Sequence, residues 1–358
     1  MTITPEIFDA QRVPRFGSAN PERMRLEFWE WMVRAYEGLS PFDGEREPAR
    51  GMPYWARKRF GRDREASSPV WTFERMGASR TRLADGRVVC VGGEHEDYYD
   101  PDFYIYNDVV VLGPDAAVEM YGYPRDVFPP TDFHSASLVG GRLIVIGTIG
   151  HPEDRRPGVT PVHVLHLDDY RIESMATAGE APGWIHDHEA RIEGDSIVVS
   201  GGDVYFEEAD EGRFRRNLED YALHVPSGTW RRTSDRGWRQ FWMSLAHARN
   251  EYVSFSFLDP GAAPLTEPFS WEVLLDRSIL IPTGGTWVED VLHDEFDLWR
   301  GARSIVDGVP VAVKEEGGAI VMVIEGRMDE AKAATLAEGL RARIEAACGR
   351  PCVVRGGG

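Results

Sequence analysis

The chain contains very little lysine and cysteine. Lysine occurs only at positions 58, 314 and 332, and cysteine only at positions 90, 348 and 352. So few cysteines do not make the framework of a disulfide-rich secreted domain, and they suit a reducing compartment. Two neighbouring thiols without two further ligands also make a poor zinc site, so we expect Cys348 and Cys352 to be inert.

Long apolar runs and a targeting segment are also missing. No stretch reaches the roughly 18 apolar residues that cross a bilayer, and the first residues, MTITPEIFDAQRVPRF, lack a basic start followed by an apolar core. We therefore expect a soluble, cytoplasmic protein. Arginine supplies nearly all of the positive charge, which is a bacterial-like composition.

Positive charge is scarce overall, since the formal net charge is −19 at pH 7. Such a chain repels phosphate backbones and anionic lipid headgroups, which excludes free nucleic acid and membrane surfaces as expected partners. Cationic and neutral partners stay open. With 358 residues, 42% of them hydrophobic, the chain is long enough to bury one large core or two.

Established catalytic motifs are absent. The sequence has no nucleophile elbow, phosphate-binding loop, HExxH pair or dinucleotide fingerprint. The acidic stretch GEHEDYYD lacks the glycine and the distal glutamate of an EF-hand loop. The sequence therefore assigns no catalytic residue and no cofactor.

What the sequence does contain is a pattern that occurs three times. ASRTRLADGRVVCVGGE, FHSASLVGGRLIVIGTIG and DHEARIEGDSIVVSGGD each combine a polar start, a turn, an apolar strand and a closing glycine. The closing glycines Gly92, Gly147 and Gly201 are 55 and 54 residues apart, and each copy continues with two more strands joined by turn residues. The pattern predicts three antiparallel four-stranded units over 70–235, with strands at 88–91, 143–146 and 197–200.

These units resemble the kelch repeat, whose unit is a four-stranded propeller blade of about 50 residues. The residues that carry the resemblance are the double glycines, the upstream histidines and the aromatic residues of the outer strands: Gly92-Gly93, Gly201-Gly202, His134, His188, Tyr106, Tyr221 and Trp230. In the second unit Gly147-Thr148 replaces the double glycine, and in the first Ser79 stands where the others have histidine. The resemblance implies a mainly β fold built of kelch-like blades over roughly 70–235.

Three blades do not close a ring, because propellers use about 4 to 8. WEVLLDRSILIPTGGTW, which starts at Trp271, also ends an apolar run with a double glycine, and it predicts a diverged fourth blade. The expected domains are an N-terminal helical extension and linker (1–69), a kelch-like β domain (70–308) and a C-terminal module of β-hairpin, helix and strand (309–358). In the first, Asn20 and Pro21 predict the start of a helix that ends at Gly38, and 39–66 an extended connection.

Each closing glycine is followed by a polar insertion, and equivalent positions in neighbouring units place such insertions on one face. The candidate binding residues are acidic, aromatic and histidine side chains of these insertions: His95, Glu96, Asp97, Tyr98, Asp100, Asp102, His151, Asp203 and Tyr205. The alternative is that they are ordinary solvated surface, since connecting loops are polar by default.

A second group lies just before the units, and its members are candidate metal ligands: Asp132, His134, His186 and His188. Imidazoles and carboxylates brought together bind divalent metals or act as general acid and base. The alternative, which we expect, is that His134 and His188 hydrogen-bond within their own units.

Three functional hypotheses follow. The first is a protein- or peptide-binding module that displays acidic, aromatic loops on the β scaffold. The second is a metal-dependent or His/Asp acid-base enzyme, and the third is a structural subunit whose terminal segments mediate assembly. We prefer the first because display loops recur while a complete catalytic set is missing. The oligomeric state is left open.

Overall fold

The computed structural model describes residues 2–38, 52–62, 68–97, 100–208, 211–246, 253–258, 272–291, 301–316 and 318–356. The chain is mainly β, as predicted, and divides into two compact units, Met1–Ser234 and Asp235–Gly358. Within the described ranges, no helix has both the length and the apolar character needed to cross a membrane.

The first unit begins with short helices and one short strand: α1 (Pro5–Gln11), β1 (Glu22–Arg23), α2 (Glu27–Tyr36) and α3 (Met52–Arg59). The predicted helix start at Asn20 is wrong. The Asn20 side chain instead pairs with the backbone of Ile172 in both directions, at 2.7 and 3.0 Å. Helix α2 starts only after Leu26, and α3 replaces part of the predicted extended connection.

Three sheets follow, each built on four antiparallel strands, and we call them the first, second and third repeat sheets. The first contains β2 (Ser79–Arg82), β3 (Val88–Val91), β6 (Val109–Leu112) and β7 (Val118–Gly122), with the hairpin β4 (Glu94–Asp97) and β5 (Asp100–Ile105) inserted after β3 and with β1 added at the edge. The second contains β8 (Ser135–Val139), β9 (Arg142–Ile146), β10 (Val162–His166) and β11 (Ile172–Ser174).

The third repeat sheet contains β12 (Ala178–Gly179), β14 (Glu189–Glu193), β15 (Ser196–Ser200), β18 (Tyr221–His224) and β19 (Thr229–Arg232). Strand β13 (Ile185–His186) and the hairpin β16 (Asp203–Glu208) and β17 (Glu211–Arg216) form a separate small sheet beside it. The three predicted antiparallel units are confirmed. The three predicted strands are β3, β9 and β15.

The repeat sheets stack through their apolar faces and are joined by recurring backbone bonds. Val89 and Val145 belong to the core between the first and second sheets, and Ile144 and Ile197 to the core between the second and third. The Phe133 N–H donates to the Gly77 carbonyl, and the Asp187 N–H donates to the Phe133 carbonyl, both at 2.8 Å. The second and third sheets are therefore joined by the same kind of backbone hydrogen bond that joins the first and second.

This stacking explains the closing glycines. A Cβ atom on Gly92 would collide with the Thr131 carbonyl, and one on Gly147 with the Ile185 carbonyl, each well inside 3.0 Å. Both carbonyls belong to the start of the following unit. At Gly201 a Cβ would meet nothing within 4 Å, so among the described residues no further sheet stacks there in the same way.

Replacing Gly147 by Ala is expected to destabilise the protein by about 2–3 kcal/mol more than replacing Gly201 by Ala. Both glycines have positive φ angles, +76° and +64°, so the conformational cost of alanine is shared by the two variants. Only Gly147→Ala adds the collision with a backbone carbonyl. Urea unfolding of both variants measures the difference, and equal losses would contradict the stacking argument.

The other face of the first repeat sheet is covered by the N-terminal helices. Val110 and Met120 on this face belong to one core with Phe8, Trp29 and Met32 from α1 and α2. The Trp29 and Trp71 rings stack with centroids 5.0 Å apart. The helices thus occupy the position where another sheet would stack.

The second unit contains a six-stranded antiparallel sheet, a two-stranded parallel sheet and one long helix. Its elements are β20 (Arg239–Leu245), β21 (Ser254–Leu258), β22 (Glu272–Asp276), β23 (Thr286–Asp290), β24 (Gly301–Val306), β25 (Val309–Glu316), β26 (Ala319–Ile324), α4 (Glu330–Cys348) and β27 (Cys352–Gly356). The hairpin, helix and strand predicted after 309 are present, but β25 pairs directly with β24 and β20 lies between β26 and β27. The C-terminal module is therefore part of a larger sheet.

The diverged fourth blade does not form in the described residues 272–291. Strand β22 pairs in parallel with β21, Arg277–Leu280 is a 3-10 helix, and β23 joins the six-stranded sheet. Pro282 lies between that helix and β23, outside any strand, so its missing N–H interrupts no strand ladder.

Candidate functional site

All three insertions follow the corresponding strand of their repeat sheet, so they leave the sheets at one common end. They are the β4–β5 hairpin, the segment 147–161, which contains a 3-10 helix at Pro152–Asp154, and the β16–β17 hairpin. We call these three segments together the display surface. Two of them are paired hairpins, which restricts the backbone more than the polar loops inferred from sequence.

Contacts between the insertions make this surface continuous. The rings of Phe103 and His151 meet edge to face at 6.3 Å, which joins the first insertion to the second. The Arg155 guanidinium lies 4.8 Å from the ring centre of Phe214 and 5.8 Å from that of Tyr205, which joins the second to the third. Phe103 is 49% exposed, so an aromatic side chain is available on this surface.

The acidic residues predicted to bind a partner lie on the first hairpin. Glu96 and Asp97 are on β4, and Asp100 and Asp102 are on β5. Their side chains, and all of Tyr98, lie outside the described part of the structure.

The other predicted binding residues lie nearer the base of the insertions. His95 is buried, with Nδ1 3.1 Å from the Glu74 carbonyl oxygen, and Tyr205 is buried and donates from its hydroxyl to Glu207 at 3.1 Å. His151 is half-buried at the start of the 3-10 helix, and Asp203 opens β16 opposite His186. These side chains help to hold the insertions on the scaffold.

His134 and His188 hydrogen-bond between repeat sheets, so the expected bonding within one unit is wrong. His134 Nε2 lies 2.8 Å from the Ser79 hydroxyl, and His188 Nε2 lies 2.8 Å from the Ser135 hydroxyl. The alignment of Ser79 with the histidines of the other two units is also wrong. Ser79 and Ser135 each pair with the last residue of the following strand, so Ser79 is equivalent to Ser135 and not to His134. Each histidine thus reaches back to the serine of the preceding sheet.

Burial keeps these histidines neutral. Desolvation, with smaller contributions from neighbouring histidines, lowers the pKa of His134 to about 3 and that of His188 to about 4. Desolvation likewise lowers the pKa of His163, between the first two sheets, to about 4. A neutral imidazole offers one donor and one acceptor, which suits a serine hydroxyl.

Asp132 is fully buried and fixed by the segment that follows β9. Its Oδ1 accepts hydrogen bonds from the Thr148 hydroxyl at 2.7 Å and the Gly150 N–H at 2.8 Å. Its Oδ2 is buried and has no hydrogen-bond partner. The carboxylate is therefore oriented on one side and unsatisfied on the other.

His186 occupies in the third unit the position that Asp132 occupies in the second. Each of the two residues immediately precedes a residue with a positive φ angle, Asp187 or Phe133. Its ring meets Phe214 edge to face at 4.7 Å, and both ring nitrogens are buried without a hydrogen-bond partner. Desolvation lowers the pKa of His186 to about 4. The carboxylates of Asp187 and Asp132 act against this shift and the Arg155 guanidinium acts with it, so all three charges lie within electrostatic range of the ring.

Arg155 completes this cluster. Its Nε donates to the Ile149 carbonyl and its Nη2 to the Gly150 carbonyl, both at 3.0 Å. Trp184 donates to the same Ile149 carbonyl at 3.1 Å. The sequence assigned no role to Arg155, Trp184 or Phe214. For Arg155, nothing in the adjacent pair Arg155-Arg156 shows which guanidinium points inward.

The candidate metal ligands do not assemble into a metal centre in the described ranges. No group of three or more His, Cys, Asp or Glu side chains there is placed to hold a metal ion. His134 and His188 use one ring nitrogen each on a serine, while Asp132 and His186 belong to the cluster with Arg155. The cluster combines a carboxylate, a neutral imidazole and a guanidinium beside aromatic rings.

Comparison with known proteins gives no family assignment. No family model and no curated protein matches the chain. A solved structure described as "Structure of YjhT" is similar with 11% sequence identity and a TM-score of 0.29, and the match covers 71% of this chain and 64% of that one. A likeness at this TM-score supports no conclusion about fold or function.

Proposed function

We propose that this chain is a protein- or peptide-binding module that contacts its partner through the display surface. The main support is that contacts between side chains connect three separate insertions into one surface. These contacts are Phe103 with His151, and Arg155 with Tyr205 and Phe214. Stacked sheets form a rigid base, and binding loops on rigid scaffolds are a recurrent arrangement. The proposed location is the cytoplasm, in keeping with the low cysteine content.

The scaffold itself is proposed to be a short arc of three kelch-like blades. Support comes from the period of 55 and 54 residues, the four antiparallel strands of each unit and the repeated backbone bonds between sheets. The N-terminal helices cap one end of this arc, because they cover the outer face of the first sheet.

The composition of the surface favours a polypeptide partner. Phe103 and Val159 are 49% and 52% exposed, and the insertions that carry them are rich in charged residues in sequence. Exposed aromatic side chains within a polar rim are typical of protein interfaces, where aromatic and arginine residues carry much of the binding energy.

The first hairpin supplies a direct test. A random-peptide library displayed on phage is selected against the full chain, and the affinities of the selected peptides are measured by fluorescence anisotropy. The variant Glu96→Gln, Asp97→Asn, Asp100→Asn, Asp102→Asn is expected to weaken binding at least tenfold. Its melting temperature is expected to stay close to that of the wild type, because surface substitutions usually cost little stability.

A second quadruple variant controls for the change in net charge. It neutralises Asp168, Glu173, Glu193 and Asp195, which are exposed in or beside the turns at the opposite ends of the strands. This control is expected to bind like the wild type. Equal losses in both variants, or no loss in the hairpin variant, would count against the display surface as the binding site.

A further inference from the structure

Gly150 connects two opposite charges at the base of the display surface. Its N–H donates to Asp132 Oδ1, and its carbonyl accepts from Arg155 Nη2. The carboxylate and the guanidinium thus lie on either side of one residue.

Each member of this cluster keeps unused hydrogen-bonding capacity. Asp132 Oδ2 and both His186 ring nitrogens are buried without a partner. Arg155 is half-buried, uses Nε and Nη2 on backbone carbonyls, and forms no ion pair within the described part of the chain. Buried polar groups normally have partners, and leaving one unsatisfied destabilises the protein, so this cluster is suited to groups supplied by a ligand.

The charges of the cluster select the type of ligand. Asp132 and Arg155 together carry no net charge, and His186 is neutral at physiological pH because burial lowers its pKa to about 4. The Asp187 carboxylate also acts on His186, but it is exposed, so solvent screens its charge. An anion is repelled by Asp132 and a cation by Arg155. A neutral group that offers an acceptor on one atom and a donor on another matches both, and an amide is such a group.

We propose that Asp132, Arg155 and His186 recognise an amide group of the bound peptide. This inference rests on the proposed peptide-binding function. Arg155 donates to the amide oxygen, Asp132 Oδ2 accepts the amide N–H, and His186 provides an adjacent donor and acceptor. The amide belongs to an Asn or Gln side chain or to the peptide backbone, and the two sources are separated by the test.

The test uses the peptides selected from the random library. In each peptide, every Asn and Gln is replaced in turn by Asp or Glu, and every backbone amide in turn is N-methylated. With the wild-type protein, one such change is expected to reduce affinity at least tenfold. A side-chain replacement identifies a side-chain amide, and an N-methylation identifies a backbone amide.

The decisive protein variant is Asp132→Asn. Asparagine retains an oxygen for Thr148 and Gly150 but places a donor where Asp132 had its free acceptor. For a side-chain amide, this variant is expected to reverse the preference, so that the peptide with Glu or Asp binds better than the one with Gln or Asn. For a backbone amide, it is expected to remove the effect of the N-methylation. A purely structural role would not change ligand preference.

Arg155→Gln is the second variant, because Arg155 is partly exposed and the test then survives if Asp132→Asn fails to fold. It is expected to lose at least tenfold in affinity, whereas the control Arg171→Gln is expected to bind like the wild type, since Arg171 is exposed in the turn between β10 and β11, outside the display surface.

Two failures are distinguishable. If no peptide is selected, the binding function and this inference both fall. If peptides bind and lose affinity with the hairpin variant, but Arg155→Gln and Asp132→Asn bind every peptide within about twofold of the wild type, the binding function stands and amide recognition by this cluster is overturned.

Discussion

Replacing Asp108 by Ala is expected to lower the free energy of unfolding by about 3–5 kcal/mol, because it leaves a buried guanidinium without its counter-charge. The Arg75 and Asp108 side chains are 3% and 8% exposed and form a two-point ion pair. Asp108 also accepts from the Trp71 indole at 3.0 Å. The Arg75 guanidinium also lies 3.5 Å from the ring centre of Tyr106, which helps to shield it from solvent.

Denaturant unfolding measures this loss against an exposed ion pair. Arg191 and Glu193 are 55% and 57% exposed, and Glu193→Ala is expected to cost less than 1 kcal/mol. The double variant Arg75→Met, Asp108→Leu is expected to be more stable than Asp108→Ala alone, because it removes both charges. A loss below 1 kcal/mol for Asp108→Ala would show that Arg75 finds another partner or water.

Mild acid is expected to destabilise the first unit through its buried histidines. The folded-state pKa values of His134, His163 and His188 are about 3, 4 and 4, below the ordinary value of 6.5. Above pH 6.5 these histidines are neutral in both the folded and the unfolded protein. As the pH falls below 6.5, only the unfolded chain takes up protons, so stability decreases until the folded-state pKa values are reached.

The size of this effect is about 1.4 kcal/mol per histidine for each pH unit, or about 2 kcal/mol per histidine between pH 7 and pH 5. Urea unfolding at a series of pH values gives the slope. His188→Gln is expected to reduce the slope by the share of one histidine, even though the variant also loses the bond to Ser135. Ser135→Ala, which loses the same hydrogen bond but keeps the histidine, is the control and is expected to retain the wild-type slope. An unchanged slope in His188→Gln would disprove the assignment.

The sequence was informative where a local pattern reports backbone conformation directly. Alternating apolar residues and turn residues place β3, β9 and β15 correctly, and the recurring glycine marks the same structural point in the first two repeats. The same local signals failed at Asn20. Its suitability as a helix cap was overridden by two hydrogen bonds to Ile172, which lies 152 residues away.

The candidate site was only partly visible in the sequence. The repeat placed Asp132 and His186 among the candidates, and the polar insertions drew attention to His151, Asp203 and Tyr205. Asp132 and Arg155 are brought together because both hydrogen-bond to Gly150. This depends on the backbone path of the 147–161 segment, whose sequence has no periodic pattern of apolar residues. Burial separates Arg155 from Arg156, and burial at a loop cannot be read from residue type.

By itself, then, the sequence determined the mainly β class, the repeat period and the strands of the three repeat sheets, because hydrophobic alternation and turn chemistry act over a few residues. Only the tertiary structure decided that the histidines bond to serines of the preceding sheet, that the helices cap the first sheet, and that 272–291 is not a fourth blade. The first two outcomes depend on how whole sheets and helices stack, which brings together residues more than 50 positions apart. The third depends on which strands pair, and no local pattern specifies either.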